Sequence, residues 1–194
     1  NADSVAGKVW IFFGGITGAK AADSDADVII TGQSGGDKFG GSVSSAGDFN
    51  GDGKDDVIVS AISDDGNVTD SGRAFIFFGG ITGTKTPDAD ADVILNGQSY
   101  GDEFGRSRGS PGEGTGVASG DFNGDGASDV IVGAWLDDNN SAENSGSAFV
   151  FFSSSVFPSI TFSDTTSSQS ENTTQVTIPV TLSKTSSSTV TIDY

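Results

Sequence analysis

Asp48-Phe49-Asn50-Gly51-Asp52-Gly53-Lys54-Asp55-Asp56-Val57-Ile58-Val59-Ser60-Ala61 is an acidic loop, broken by glycine, that runs straight into an apolar strand. It returns as Asp121-Phe122-Asn123-Gly124-Asp125-Gly126-Ala127-Ser128-Asp129-Val130-Ile131-Val132-Gly133-Ala134. Counted from the first aspartate, oxygen-bearing side chains fall at positions 1, 3, 5 and 9 of both copies. A hard cation such as Ca²⁺ takes about six to eight oxygens, and a tight loop with alternating Asp and Asn supplies them. Gly53 and Gly126 follow position 5, where the chain has to turn back and a Cβ is expected to obstruct. Without a cation, Asp48, Asp52 and Asp56 are expected to crowd one small volume. At ~4 Å and an effective dielectric of ~20, each like-charge pair costs roughly 4 kcal/mol. An Asn-Gly or Asp-Gly turn that merely ends a strand gives no reason to carry that arrangement twice.

The helix-flanked EF-hand loop opens in the same way but needs Glu at position 12 and a helix after it. Position 12 here is Val59 or Val132, inside a β-branched run. The pattern is therefore a loop-to-strand cation site.

Composition narrows the class. The 194 residues carry 27 acidic and 9 basic side chains, a formal net charge of -18. Nucleic acid and anionic membrane both demand a basic face, so neither is expected as a partner. Glycine is abundant, and Val, Ile and Phe supply the apolar residues, as in a turn-rich β protein. The chain has no Cys, so no disulfide framework, and no His, the commonest general base. It has no Met, which suggests a processed product or a fragment. No apolar run approaches the ~18 residues that read as a membrane span.

The loops belong to a longer repeat. Gly7–Gly18 matches Gly72–Gly83, and Asp27–Ser34 matches Asp92–Ser99, both at an offset of 65 residues. Gly36-Asp37-Lys38-Phe39-Gly40 matches Gly101-Asp102-Glu103-Phe104-Gly105. The acidic loops lie 73 residues apart, because the second copy carries a polar insertion at Arg106–Thr115. A third start appears at Gly146–Phe152. Each unit reads as four short strands separated by Gly, Asp and Ser clusters. They are an aromatic strand (Val9–Phe13), a Val/Ile strand (Val28–Thr31), one entering the loop (Ser42–Asp48) and one leaving it (Val57–Ala61). On this period the chain holds two units and one overhanging strand, Ala148–Phe152. No segment has sustained helical periodicity. The Phe-Phe and Val-Ile-Val runs are continuous, so these strands are expected to be covered on both faces.

Phe39-Gly40, the loop at Asp48–Gly53 and the strand Asp56-Val57-Ile58-Val59-Ser60-Ala61 resemble the FG-GAP repeat of integrin α-subunit β-propellers and their bacterial relatives. Gly105 and Gly133-Ala134 complete the second copy. The resemblance covers residues 5–152. It implies an all-β, partial β-propeller of four-stranded antiparallel blades with Ca²⁺ in an inter-strand loop. By motif position it implies the ligands Asp48, Asn50, Asp52, Lys54 (backbone carbonyl) and Asp56, then Asp121, Asn123, Asp125, Ala127 (backbone carbonyl) and Asp129. Propellers use about four to eight blades, so integrin-like ligand recognition does not carry over.

After a polar linker at 153–158, Ser159–Phe162, Val176–Leu182 and Val190–Tyr194 alternate apolar and mainly Thr residues. With Ser170-Glu171-Asn172, this part resembles the start of a Calx-β domain, which implies an incomplete immunoglobulin-like sandwich over 159–194.

Other acids have plainer readings. Asp23, Asp25 and Asp27, with Asp88, Asp90 and Asp92, read as solvated loops. Asp64-Asp65 and Asp137-Asp138 read as turns, and Trp10 and Trp135 as packing. The sequons at Asn67, Asn139 and Asn172 are expected by chance in so Ser- and Asn-rich a chain. The leading expectation is a non-enzymatic, calcium-stabilised extracellular or cell-surface module, in adhesion or structural assembly. Its expected partners are further blades, other protein chains, a cell-surface protein or glycan, or copies of itself in a strand-sharing oligomer or filament. The alternative is a carbohydrate-binding accessory module of a secreted enzyme. A hydrolase using its own Asp and Glu ranks third.

Overall fold

The computed structural model describes residues 6–106, 115–138 and 145–153, with the backbone of 160–162 and 180–182. The chain divides into two compact units, Asn1–Ser155 and Val156–Tyr194. In the larger unit, short strands follow the Val, Ile and Phe runs, and Gly, Asp and Ser clusters end them. These strands are β1 (Lys8–Ile11), β2 (Val28–Thr31), β3 (Phe39–Gly47), β4 (Asp56–Ala61), β5 (Arg73–Phe77), β6 (Gly83–Lys85), β7 (Val93–Asn96), β8 (Val117–Gly120), β9 (Asp129–Ala134) and β10 (Ser147–Phe151). Helix is confined, among the described residues, to two single turns, α1 (Ala22–Asp25) and α2 (Pro87–Asp90).

The sheets are cut differently from the sequence period. The middle sheet is a complete four-stranded antiparallel blade, in the order β3-β4-β5-β7. Before it lies a sheet ordered β1-β2-β6, in which β6 pairs parallel to β2. After it lies a three-stranded sheet ordered β10-β9-β8. The aromatic strand is thus third in its blade rather than first, and β10 is paired along β9 rather than overhanging. Aromatic and Val/Ile strands keep one register in both copies. Lys8 faces Thr31 and Ile11 faces Val28, as Arg73 faces Asn96 and Ile76 faces Val93.

Alternation along the pleat gives the middle sheet two apolar faces. Val59, Ala61, Phe75 and Phe77 form one buried cluster with Val9, Val28 and Ile30 of the first sheet. Ala46, Ile58, Ala74 and Ile76 form another with Val117, Val130 and Val132 of the third. Aromatic edges repeat across the layers: Phe39 meets Phe75 at 5.9 Å, and Phe104 meets Phe149 at 5.7 Å. The continuous runs of the middle sheet are therefore covered on both faces, whereas the first and third sheets bury one face and expose Trp10 and Val150 on the other.

In the smaller unit, β11 (Ile160–Phe162) pairs antiparallel with β12 (Val180–Leu182), placing Ile160 opposite Leu182. The third expected strand, Val190–Tyr194, and Glu171 lie outside the described residues.

Candidate functional site

The acidic loops join the first two strands of their sheets, β3 to β4 and β8 to β9. In the first loop, the Asp52 N–H donates to Asp48 Oδ1 (2.9 Å) and the Gly53 N–H to Asp48 Oδ2 (2.9 Å). Asn50 Oδ1 also accepts from the Asp52 N–H (2.9 Å), and Asp52 Oδ1 accepts from the Lys54 N–H (2.9 Å). The second loop repeats this. Asp121 accepts from the N–H groups of Asp125 (3.1 Å) and Gly126 (2.9 Å), and also from Gly124. Asn123 Oδ1 accepts from Asp125 N–H and Asp125 Oδ1 from Ala127 N–H. These side chains fold the loop onto itself through its own amides.

Position 9 has a different role. Asp56 is 1% exposed and Asp129 fully buried. Asp56 Oδ2 accepts from the N–H of Phe49 (2.9 Å) and Asn50 (3.3 Å), while Oδ1 accepts from Gly79 N–H (2.7 Å), just past β5. Asp129 accepts from Phe122 N–H (3.0 Å) and from Ser153 N–H (2.9 Å), just past β10. Each ninth carboxylate therefore ties the loop base to the far end of the third strand. Sequence spacing marks position 9 as an oxygen donor but gives no sign of this brace, because its partners lie 23 or 24 residues on. Burial pushes the Asp56 carboxyl above its ordinary range, against the pull of its amide donors.

The expected crowding of carboxylates is not realised. Among the described residues no three Asp or Glu side chains stand close enough to hold a metal ion as a ready-made group. The backbone relieves the repulsion by giving each carboxylate its own N–H donors. Gly53 and Gly126 have φ of +88° and +87°, so the turn needs glycine. Space is not the reason at Gly53, where a Cβ meets nothing within 4 Å.

The donor set itself suits a hard cation. Asp48, Asn50, Asp52 and Asp56, with Asp121, Asn123, Asp125 and Asp129, offer oxygen alone, and a carboxylate oxygen holding one amide keeps a lone pair. The loops differ at position 7. Lys54 Nζ lies 3.3 Å from Asp52 Oδ2, whereas Ala127 leaves Asp125 without that counter-charge. Desolvation by the surrounding loop pulls the Asp52 carboxyl up, but hydrogen bonds from Lys54 and Asn50 outweigh it and hold it below its ordinary range.

The plainer readings of the other acids are given a structure. Asp25 and Asp90 reach back to the N–H of Ala21 and Thr86 and close the helical turns. Asp27 and Asp92 accept from Phe13 and Phe78 N–H. Buried Asp64 holds Arg73 through Nε (2.5 Å) and Nη2 (2.8 Å), and Asp65 accepts from Asp70 N–H. Trp135 donates to Glu103 and carries the Arg106 guanidinium 5.5 Å above its ring.

All-β sheets stacked face to face, with an acidic loop between the first two strands of a four-stranded antiparallel blade, define a partial β-propeller. Residues 39–77 and 114–151 each match the FG-GAP repeat. The two matches coincide with β3–β5 and with β8–β10, which is the phase of the sheets. No curated protein matches the chain.

Proposed function

We propose that the chain is a non-enzymatic, calcium-stabilised module of an extracellular or cell-surface protein, serving adhesion or structural assembly. The observation that carries this reading is the duplicated loop. Two loops that differ at positions 7 and 8 keep the same oxygens and the same amide network around the first, third and fifth positions. A turn that only reverses the chain has no need of that match. Ca²⁺ would be held by Asp48, Asn50, Asp52, the Lys54 carbonyl and Asp56, and by Asp121, Asn123, Asp125, the Ala127 carbonyl and Asp129. FG-GAP repeats are typical of extracellular or surface proteins, which supports the location. The pair β11–β12 agrees with a Calx-β-like unit in the C-terminal part.

Thermal melting in calcium and in chelator tests the metal. Extracellular modules bind calcium with Kd of ~10⁻⁴–10⁻³ M. At ~100 times Kd, each site adds roughly 2.7 kcal/mol. Asp125→Ala should lower the melting temperature in calcium and change it little in chelator. Identical melting of the unaltered chain in both conditions would sink the proposal.

A further inference from the structure

Among the described residues, two sheet faces have no other sheet packed on them, and the internal repeat identifies what fits them. In the middle sheet, Ile58, Ala74 and Ile76 are fully buried against the third sheet, and Phe75 and Phe77 against the first. Their repeat equivalents lie on the outer faces of the stack. Ile131, Ala148 and Val150 occupy the third sheet at the places of Ile58, Ala74 and Ile76, and Val150 is 41% exposed. Trp10 and Ile29 occupy the first sheet at the places of Phe75 and Ile94, and Trp10 is 38% exposed. The outer face of the third sheet is an open groove of about 780 Å³, floored by Ala118, Ile131 and Ala148.

We propose that this groove receives the Trp10 face of the first sheet of a second copy, giving a head-to-tail assembly. This rests on the assembly part of the function proposed above and specifies its surface. The chain already makes the equivalent junction twice, first sheet on middle and middle on third, with the same strands presenting the same kind of side chain. The third junction needs no new chemistry. Trp10 equates with a fully buried phenylalanine, and Ile131 and Val150 with fully buried isoleucines. The contact is heterologous, so each copy uses both faces and growth continues until a ring closes. Two copies bring six sheets, within the about four to eight of closed propellers. A closed dimer is the expected product.

Sedimentation velocity of the full chain, in calcium and in chelator, tests this. The expected result is a concentration-dependent dimer at micromolar chain. Val150→Asp alone and Trp10→Asp alone should each weaken association by at least ten-fold. Mixed in equal amounts, the two variants should pair through one intact junction, the groove of Trp10→Asp on the Trp10 face of Val150→Asp, while neither variant alone retains such a junction. Ala148→Arg changes the groove floor itself, where Val150→Asp changes the apolar face beside it, and circular dichroism checks that each variant folds. A folded monomer at ~100 µM would overturn the proposal, whether the faces stay bare or await another protein or further repeats. So would association that ignores the three substitutions. Either result with calcium-dependent melting would leave the metal reading standing.

Discussion

At the scale of single residues, the ninth loop position is a brace as well as a proposed ligand. Replacing Asp129 by Ala removes the acceptor of the Phe122 and Ser153 N–H groups, at a cost of about 1–3 kcal/mol for each buried donor. That loss should appear in chelator as well as in calcium, unlike the loss from Asp125→Ala. Equal melting of Asp129→Ala and the unaltered chain in chelator would refute the brace. Lys54 makes a second residue-level test, since its ammonium sits where it competes with a cation for Asp52. The pair is exposed and screened. Lys54→Ala should tighten calcium at the first loop by a factor of roughly two to five, read by calorimetric titration with the second loop disabled by Asp125→Ala. Unchanged or weaker binding would show that Lys54 does not compete. Asp37 supplies one test of pH dependence. Burial, then the Asp64 and Asp65 carboxylates, raise its pKa above the ordinary value of 3.8. A carboxyl whose native pKa is raised contributes stability that is full below its unfolded pKa and is lost as pH rises through the native one. Asp37→Asn should therefore stabilise the fold at pH 7 and lose that advantage near pH 3. An advantage equal at both pH values would contradict the sign.

At the scale of elements, one aromatic strand occurs three times in three settings. Phe75 of β5 is fully buried between sheets, edge-on to Phe39 and under the Arg73 guanidinium at 5.0 Å. Trp10, its equivalent in β1, lies on an outer face. Phe75→Ala should cost about 3–5 kcal/mol in urea unfolding, and Trp10→Ala under about 1 kcal/mol at concentrations where the chain is monomeric. Equal costs would contradict the stacking order of the sheets. The strands were legible because Val-Ile-Val and Phe-Ile-Phe-Phe runs bounded by glycine leave few alternatives. Which strands share a sheet was not, because a repeat has no marked beginning and the period fits any starting strand. Hydrogen bonding settles the phase. The β5–β7 connection also hides β6, since Gly83-Thr84-Lys85 has no apolar pattern and pairs only because β2 offers a free edge.

At the scale of the molecule, the acidic charge and the stacked sheets act in opposite directions. A formal net charge of -18 repels itself and opposes association, while the apolar outer faces would, as proposed, favour it. The loops were legible from oxygen spacing alone. The relief of their charge was not, because backbone amides supply it and a sequence does not display where amides point. Salt lessens the repulsion, and calcium bound as proposed would lessen it by a different route. Salt screens all exposed charges over a Debye length of ~8 Å at ~0.15 M, whereas calcium would offset charge only in the loops proposed to hold it. The compact unit Asn1–Ser155 contains both loops and all three stacked sheets. A chain ending at residue 155 should therefore keep the calcium-dependent melting shift within about 2 °C of the full chain's, a tolerance of about 0.5–1 kcal/mol for a domain of this size. Raising sodium chloride at a fixed concentration of chelator should not reproduce that shift, since monovalent ions fill no loop. Paired melts of the two chains in calcium, chelator and salt would decide. A shift that vanishes on truncation would place the calcium response in residues 156–194 instead, and a shift matched by sodium chloride would reduce it to charge screening.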